Sequence, residues 1–255
     1  MQEFLELATE LAEEAGKIAR NYYRQPFEVI SKGDESPVTI ADRTIEQRLR
    51  EILEHKRPQD GIIGEEYGTK PSQSGLNWVI DPIDGTKSFV IGRPTFGTLI
   101  ALWEGEDAAL LGLIDQPISQ ERWIGAKNFQ TQYNGQPCKT RPCKELALAC
   151  CASTTPAMFE AVKPVYWDIE KQTKMMAWGG DCYMYGLIAS GHMDLAVEAA
   201  LSPYDFAALV PVIESAGGFI CDWQGAPLTL TSNGCVIAGG DPAIKETVLE
   251  IIQTA

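Results

Sequence analysis

The sequence predicts an α/β protein in which an α+β first half precedes a layered α/β second half. The 255 residues can form a large core, since 45% are hydrophobic and 22% charged, as in ordinary globular proteins. The first half combines two amphipathic helices with short apolar strands, whereas helix and strand patterns alternate after about residue 145. We therefore expect one folded unit over 1–255, with subdomains of about 1–140 and 141–255.

Two amphipathic helices are predicted first. Apolar residues from Phe4 to Tyr22 follow the helical period and predict a helix over residues 3–23. A second helix is predicted over about 40–55, where Thr39 and Asp42 have the spacing of a capping box. Asp42 can be interpreted as a cap or as a site carboxylate, and the local sequence alone favours the cap.

Apolar runs bounded by turn residues predict the remaining elements. In the first half, strands are predicted at 62–63, 78–80 and 122–125, a hairpin is predicted from 98–103 and 110–114, and a tight turn at 134–135. In the second half, strands are predicted at 146–151, 194–197, 219–222 and 235–238, and helices at 181–190, 203–215 and 242–252. Pro203 and Pro242 would open two of these helices, where a missing N–H costs little.

Composition excludes several classes of function. The formal net charge is −14, which disfavours binding to nucleic acid or to an anionic membrane. No apolar run is long enough to span a bilayer, and the acidic N-terminal residues do not resemble a secretory signal. The seven cysteines form no CxxC pair, so we expect neither a zinc site nor a disulfide framework, and we expect a cytoplasmic location.

The most informative stretch runs from Asp81 to Thr86 and reads Asp-Pro-Ile-Asp-Gly-Thr. We expect a buried strand to end at Asp81, Pro82 to stop its hydrogen-bond ladder, and a turn to bring Asp84 beside Asp81. Carboxylates packed this closely need a cation, and Mg²⁺ prefers oxygen ligands. With only two histidines, a zinc or iron centre is improbable. The alternative is that the motif is an ordinary turn.

Three acidic residues in the second half have two readings each. Asp205 lies in the first turn of a predicted helix, where it would complement the helix dipole or serve a site. Glu198 ends an apolar strand and is either solvated or part of a site. Asp181 follows two glycines and is either a helix N-cap or a site carboxylate. The local sequence leaves the readings of Glu198 and Asp181 balanced.

Together the motifs resemble the inositol monophosphatase superfamily of Mg²⁺-dependent phosphatases. The resemblance covers essentially the whole chain, in the order Pro37-Val38-Thr39-x-x-Asp42, Gly64-Glu65-Glu66, Asp81-Pro82-x-Asp84-Gly85-Thr86, and Asp205-x-Ala207-Ala208 leading to Ala216-Gly217-Gly218. Each motif alone is weak, whereas the four in order are specific. The resemblance implies an αβαβα sandwich, often dimeric, with a metal and phosphate half followed by a substrate half.

The resemblance also implies roles for individual residues. Two or three Mg²⁺ ions would be held by Glu65, Asp81, the Ile83 carbonyl, Asp84 and Asp205, with Asp42 on a further ion or its water, so the cap reading of Asp42 becomes the weaker one. Glu65 and Thr86 would orient or deprotonate the attacking water. Phosphate would be held by Asp84, Gly85 and Thr86. Such chemistry predicts in-line hydrolysis without a phosphoenzyme.

Several stretches are most similar to the histidinol-phosphate phosphatase branch. They include Gly92-Arg93-Pro94-Thr95-Phe96-Gly97-Thr98, Ile114-Asp115-Gln116-Pro117, Gly179-Gly180-Asp181-Cys182-Tyr183 and Leu201-Ser202-Pro203-Tyr204-Asp205. Tyr204 stands where inositol-phosphatase members more often have Trp. L-histidinol phosphate carries an ammonium group, and Asp181 and Glu198, with Asp205, are the predicted substrate-binding carboxylates. Arg93 is either a further substrate or subunit contact or a loop-bracing residue.

These observations predict a hydrolase of L-histidinol phosphate in histidine biosynthesis. The alternatives within the class are an inositol monophosphatase and a nucleotide 3′-phosphatase. The alternative from another class is a non-catalytic interaction protein of the same fold. The expected partners are a small phosphorylated substrate and a second copy of the chain, with neither nucleic acid nor membrane.

Overall fold

A computed structural model describes residues 1–25, 29–31, 37–160 and 165–254; the side chains of residues 29–31 and 37–39 lie outside that description. The helices are α1 (Gln2–Tyr22), α2 (Ile40–Lys56), α3 (Thr86–Val90), α4 (Val165–Gln172), α5 (Tyr183–Ala189), α6 (Pro203–Phe206), α7 (Leu209–Ser215) and α8 (Lys245–Thr254). Short 3₁₀ turns cover Leu146–Leu148, Pro156–Phe159 and Pro242–Ile244. None of the described helices is long and apolar enough to cross a membrane.

The strands form two large sheets and one two-stranded ribbon. Their bounds are β1 (Val29–Ser31), β2 (Pro37–Thr39), β3 (Gly61–Gly64), β4 (Gly68–Lys70), β5 (Leu76–Asp84), β6 (Gly97–Glu104), β7 (Ala108–Gln116), β8 (Glu121–Ala126), β9 (Phe129–Tyr133), β10 (Gln136–Pro137), β11 (Cys150–Ser153), β12 (Met175–Trp178), β13 (Leu195–Glu198), β14 (Phe219–Asp222) and β15 (Val236–Gly239). The first sheet has the order β10-β9-β8-β7-β6-β5-β3-β4 and the second β12-β11-β13-β15-β14.

The elements stack as five layers, which confirms the predicted αβαβα sandwich. Helices α1 and α2 pack on one face of the first sheet, around Leu11, Leu49 and Trp78. Helices α5, α6 and α7 lie between the two sheets, and α4 and α8 cover the outer face of the second sheet. The first sheet is complete before the second begins at Cys150. The division into subdomains near residue 140 stays a prediction.

The middle helices approach the first sheet closely because glycines face them. A Cβ on Gly112 would lie 2.0 Å from the Ala208 carbonyl oxygen, and a Cβ on Gly125 would lie 2.5 Å from that of Pro211. Any side chain at either position would push α7 off the sheet. The helical segment of α6 and α7, whose start carries Asp205, is thereby held close to β7 and β8 of the first sheet.

Both N-terminal helices are confirmed to within a residue or so of the predicted bounds. The capping role predicted for Thr39 lies outside the described side chains, and Asp42 lies inside the first turn of α2. The strands predicted at 62–63, 78–80, 122–125, 219–222 and 235–238, the hairpin and the turn at 134–135 are also confirmed.

The helix predicted over 203–215 is wrong in one respect, because it breaks between α6 and α7. Pro211 has no N–H to donate to the carbonyl of Ala207, four residues earlier. That carbonyl instead accepts a hydrogen bond from the Trp103 indole at 3.2 Å. The proline and the buried tryptophan together interrupt the hydrogen-bond ladder, although Ala207 and Ala208 keep helical φ and ψ.

Two other boundaries differ from the prediction. Residues 146–148 form a 3₁₀ turn, and the strand begins only at Cys150. The prediction placed the strand too early because a short apolar run does not distinguish a turn from a strand. The last helix begins at Lys245, since the Asp241 carboxylate accepts the Ala243 N–H and holds 242–244 as a 3₁₀ turn. Helix α4 and strand β12 are additional elements that the sequence analysis missed.

Candidate metal and substrate site

Two elements that are distant in sequence bring three carboxylates together at one point. Asp81 and Asp84 come from the end of β5, and Asp205 comes from α6. One carboxylate oxygen of each lies within 4.8 Å of the others. Glu65, in the turn between β3 and β4, lines the same pocket as Asp84 and Asp205. The structure therefore assembles the predicted acidic cluster from residues up to 140 positions apart.

Strand β5 does not end at Asp81, which corrects the prediction that Pro82 stops the ladder. The strand continues through Pro82 to Asp84, which pairs with Gly97, and the register shifts between Asp81 and Asp84. Pro82 lies in this bulge, where its missing N–H leaves no gap in the ladder. Its carbonyl accepts the Thr98 hydroxyl at 2.8 Å. The bulge brings two carboxylates three residues apart to one site.

Gly85 makes the chain turn directly after Asp84. Its φ of 82° is left-handed, and it precedes α3 as the N-cap residue. A Cβ at this position would lie 2.7 Å from the Asp181 carboxyl carbon. Asp84 is itself held from the second half, since the Cys182 N–H donates to its Oδ2 at 2.6 Å. The loop at 181–182 thus packs directly against the predicted phosphate-binding residues.

Asp42 and Thr86 meet on the α2 side of the cluster. The Asp42 side chain is completely buried. The Thr86 hydroxyl lies 3.4 Å from Asp42 Oδ1 and 3.2 Å from the Ile83 carbonyl oxygen. Its single proton can be donated to one of these acceptors at a time, so the hydroxyl can accept a hydrogen from a water in the pocket.

The two readings of Asp205 prove compatible. It is the third residue of α6, and its Oδ2 accepts the Ser202 N–H at 2.7 Å in a capping box. Its carboxylate also belongs to the cluster with Asp81 and Asp84. One side chain therefore completes the helix start and faces the pocket.

The electrostatics of the cluster favour a cation. The pKa of Asp81 is raised well above its usual value by burial and by the charges of Glu65 and Asp84. The pKa of Asp84 is likewise raised by burial and by the charges of Asp205 and Asp181. Hard oxygen donors at this spacing fit Mg²⁺, and a divalent ion would offset the repulsion. The residues present therefore suit the metal that the family resemblance implies.

Asp84 and Asp205 of the cluster, together with Glu65, line one side of a pocket of about 200 Å³, which we call its floor. The rest of the lining, which we call the wall, comes from the second half of the chain, and the wall residues that matter below are Thr154, Met158, Asp181, Tyr185, Glu198 and Leu201. Thr154, Asp181 and Glu198 follow or end β11, β12 and β13, three neighbouring strands that run parallel. The carboxyl ends of these strands meet at one sheet edge, where α/β proteins place their ligands.

Asp181 is not the N-cap of α5, which corrects one of its two readings. Cys182 holds that position, and Asp181 has a left-handed φ of 45°. Its Oδ2 accepts the hydroxyls of Ser88 at 2.6 Å and Thr95 at 2.7 Å. Asp181 thus ties the second half to α3 while it lines the pocket.

Glu198 is not a solvated strand end, since it is only 2% exposed. Its Oε1 accepts the Thr154 N–H at 2.9 Å and its Oε2 accepts the Tyr185 hydroxyl at 2.8 Å. Burial raises the pKa of Glu198 from 4.5 to about 7, although these two hydrogen bonds favour the charged form. A cationic ligand group would draw this carboxylate fully into its charged form.

The raised pKa of Glu198 predicts a specific dependence of stability on pH. A carboxyl whose folded pKa exceeds its unfolded pKa stabilises the fold at low pH and loses that contribution as the pH rises from 4.5 to about 7. In EDTA, wild type should therefore lose up to about 3 kcal/mol more free energy of unfolding than Glu198→Gln between pH 5 and pH 8. Urea denaturation of both proteins at the two pH values measures this difference, and parallel losses would contradict it.

Several pocket residues were missed by the sequence analysis. Thr154, Met158 and Tyr185 have no local motif, and only the packing of the second sheet brings them to the pocket. Lys87 also lines it and directly follows the Asp-Gly-Thr motif. A lysine next to a predicted phosphate-binding turn is a signal that could have been used. Arg93 donates to the Gly179 carbonyl at 3.0 Å, as expected of a loop-bracing residue.

Comparison with known proteins places these features in context. The model of the inositol monophosphatase family matches residues 1–255. A bifunctional phosphatase of Arabidopsis thaliana (IMPL2, chloroplastic) is 42% identical over 99% of this chain and 76% of its own length. A histidinol-phosphatase of Chlorobaculum parvum is 38% identical over 92% of this chain and 91% of its own length. The solved structure of an inositol monophosphatase from Zymomonas mobilis is 47% identical, with a TM-score of 0.90 over 99% of this chain and 98% of that chain.

Proposed function

We propose that this chain, which belongs to the inositol monophosphatase family and is a phosphomonoester hydrolase, is a Mg²⁺-dependent enzyme that hydrolyses L-histidinol phosphate to L-histidinol and phosphate. One observation carries the choice of substrate. The pocket has two acidic regions, Glu65 with Asp84 and Asp205 of the carboxylate cluster on its floor, and Glu198 with Asp181 on its wall. The floor suits metal and phosphate, and the wall suits an ammonium group on the leaving alcohol.

The floor residues divide the work of binding and orientation. Asp81, Asp84, Asp205, Glu65 and the Ile83 carbonyl would hold Mg²⁺, which supplies charge neutralisation and an activated water when bound. The Glu65 carboxylate accepts a proton from the attacking water. The Thr86 hydroxyl, which donates to the Ile83 carbonyl, orients that water through its oxygen. We propose that each site holds two or three Mg²⁺ ions. Asp42 would act on a further ion or its water.

The phosphate would lie over the start of α3. The backbone N–H groups at Asp84, Gly85 and Thr86 and the Thr86 hydroxyl are the predicted donors, with the Lys87 ammonium nearby. The attack would be in line, with the leaving oxygen towards the wall. No covalent phosphoenzyme is required, since phosphoryl transfer needs mainly positioning and charge neutralisation. A phosphorylated side chain trapped in a quenched reaction would contradict this mechanism.

The leaving alcohol would contact the wall. Glu198 and Asp181 would face its ammonium group, and Asp205 its polar end near the floor. Met158 and Leu201 supply apolar surface to the same pocket, suited to the flat imidazole ring. A neutral polyol offers no cation for Glu198, so binding it would leave that buried carboxylate without a charged partner.

Phosphate release with Mg²⁺ tests the proposal. We expect kcat/KM for L-histidinol phosphate to exceed that for myo-inositol 1-phosphate by about 100-fold, which is about 2.7 kcal/mol of differential transition-state binding. EDTA should abolish both activities, and added Mg²⁺ should restore them. Equal or reversed rates would assign the chain to inositol phosphates instead.

The second candidate is an inositol monophosphatase. The 47% identity to the Zymomonas mobilis structure favours it, whereas Tyr204 in place of tryptophan before Asp205 does not. A nucleotide 3′-phosphatase is the third, and a nucleotide included in the same assay addresses it. The proposal also includes a homodimer in the cytoplasm and a role in histidine biosynthesis, which mass measurement in solution, cell fractionation and growth of a deletion strain without histidine would test.

A further inference from the structure

A buried glutamate, Glu46, lies beside the turn that carries Glu65. The side chain of Glu46 is completely buried. Its Oε2 accepts the Glu66 N–H at 2.6 Å and its Oε1 accepts the Tyr67 N–H at 3.1 Å. The two N–H groups belong to consecutive residues of the turn between β3 and β4, directly after Glu65. One carboxylate therefore holds the backbone of this turn at two points.

Arg50 completes the contact from the next turn of α2. Its Nε donates to Glu46 Oε1 at 2.8 Å, and its Nη2 donates to the Gly68 carbonyl. Arg50 thereby neutralises Glu46 and holds the far end of the same turn. The fit leaves no room for a side chain at Gly64, where a Cβ would lie 2.1 Å from Glu46 Oε1.

Helix α2 thus reaches the acidic cluster in two ways. Asp42 and Glu46 are four residues apart, so they lie on the same face of the helix. Asp42 meets Thr86 directly, whereas Glu46 acts one turn later through the backbone next to Glu65. A fully buried carboxylate whose contacts within the described residues are two backbone N–H groups and one arginine is costly to keep, and its position beside Glu65 gives it a use.

We propose that Glu46 is a positioning residue for the metal site, which sets the place and orientation of Glu65 by fixing the turn that carries it. The inference rests on the proposed role of Glu65 as a metal ligand, and it is independent of which phosphate ester is hydrolysed. Loss of the Glu46 carboxylate would release the Glu66 and Tyr67 N–H groups and let Glu65 drift from the cluster. Outer partners of this kind are worth about 10–100-fold in metal affinity.

Glu46→Gln tests this with the metal alone. The amide keeps the shape and one acceptor, but its NH₂ group faces an N–H or the guanidinium. We expect the Kd of Mn²⁺, measured by electron paramagnetic resonance, to rise about tenfold. The Mg²⁺ concentration for half-maximal phosphate release should rise by a similar factor, with a smaller fall in kcat at saturating Mg²⁺. A Kd within twofold of wild type would overturn the proposal.

Asp60→Asn is the matched control. Asp60 is 2% exposed, accepts from Arg57, Ser74 and Trp78, and lies before the opposite end of β3. Asp60→Asn should lose stability but bind Mn²⁺ within twofold of wild type, and an equal loss of affinity would reduce Glu46 to a structural role.

Unchanged Mn²⁺ binding by Glu65→Gln would contradict the proposed role of Glu65 as a metal ligand, on which this inference rests. If Glu46→Gln does not fold, Arg50→Gln should weaken Mn²⁺ binding, and unchanged binding would overturn the inference. Absence of histidinol-phosphatase activity with these affinities as expected would count only against the proposed substrate.

Discussion

Replacing Asp84 by asparagine should abolish phosphatase activity and, in the absence of metal, stabilise the protein. Asp84 belongs to the carboxylate cluster and precedes the predicted phosphate-binding turn. Loss of its charge weakens the metal site and misplaces phosphate, so kcat/KM should fall at least about 10³-fold. The Cys182 N–H can still donate to the amide oxygen. The variant therefore changes charge with little change in shape.

The gain in stability follows from the same charges. The pKa values of Asp81 and Asp84 are raised by burial and by repulsion from neighbouring carboxylates, so each is destabilising when ionised without a cation. Removing one charge should raise the free energy of unfolding in EDTA at pH 8 by at least about 1 kcal/mol, or roughly 2–4 °C in Tm. At saturating Mg²⁺ the order should reverse, because binding stabilises only the protein with the intact site.

Thermal denaturation with EDTA and with Mg²⁺, beside the activity assay, checks both halves of this prediction. Destabilisation of Asp84→Asn in EDTA would mean that the cluster is not under repulsion. Full activity would remove Asp84 from the machinery. In cells, Asp84→Asn should leave the function intact if the chain is a non-catalytic interaction protein, and should abolish that function if the chain is an enzyme.

Glu198→Gln should change the choice of substrate more than the rate of chemistry. Glu198 ends β13 in the second sheet, whereas Asp81 and Asp84 belong to β5 in the first, and it is buried with two donors. The glutamine oxygen can accept the Thr154 N–H, and its NH₂ group can donate to the Tyr185 oxygen after that hydroxyl turns. The site should therefore stay folded. We expect the ratio of kcat/KM for L-histidinol phosphate to that for myo-inositol 1-phosphate to fall about 100-fold, or about 2.7 kcal/mol.

Asp181→Asn should lower the same ratio by a smaller factor. Asp181 Oδ2 already accepts two hydroxyls, from Ser88 and Thr95, and the asparagine oxygen can replace it there. We expect about a tenfold fall from loss of the charge. Asp115→Asn is the control for both variants. Asp115 is also a buried carboxylate, at 5% exposure, but it pairs with Arg122 on β8 and does not line the pocket. An unchanged ratio in both Glu198→Gln and Asp181→Asn would show that neither carboxylate selects an amine.

Much of the fold followed from hydrophobic period alone, and the inositol monophosphatase resemblance is confirmed by the family match over 1–255. What failed was decided by distant partners. The break between α6 and α7 depends on Trp103, more than 100 residues earlier, which takes the Ala207 carbonyl. The continuation of β5 through Pro82 depends on Thr98 and Gly97 in β6. Neither contact is visible in a local window of sequence.

The site shows the same division. The carboxylates of the floor lie in short motifs with turn residues, and the structure brings Asp81, Asp84 and Asp205 together as expected. Their roles as ligands stay predictions. The wall residues Thr154, Tyr185 and Met158 carry no motif, because their position depends on which strands become neighbours in the second sheet. Glu46 escaped notice because a glutamate on an amphipathic helix ordinarily faces solvent.

The parallel edge formed by β11, β12 and β13 has a consequence for how such an enzyme diverges. The wall residues Thr154, Asp181 and Glu198 follow or end these three strands. Asp81 and Asp84, by contrast, belong to the first sheet, and Asp205 belongs to α6. Mutations at Thr154 and Met158, in the segment that follows β11, can accumulate without touching the floor, whereas the loop after β12 donates the Cys182 N–H to Asp84. Related enzymes can therefore change the phosphate ester that they hydrolyse while they keep the same hydrolytic mechanism. We expect descendants of this architecture to differ first in side activities and only later in chemistry.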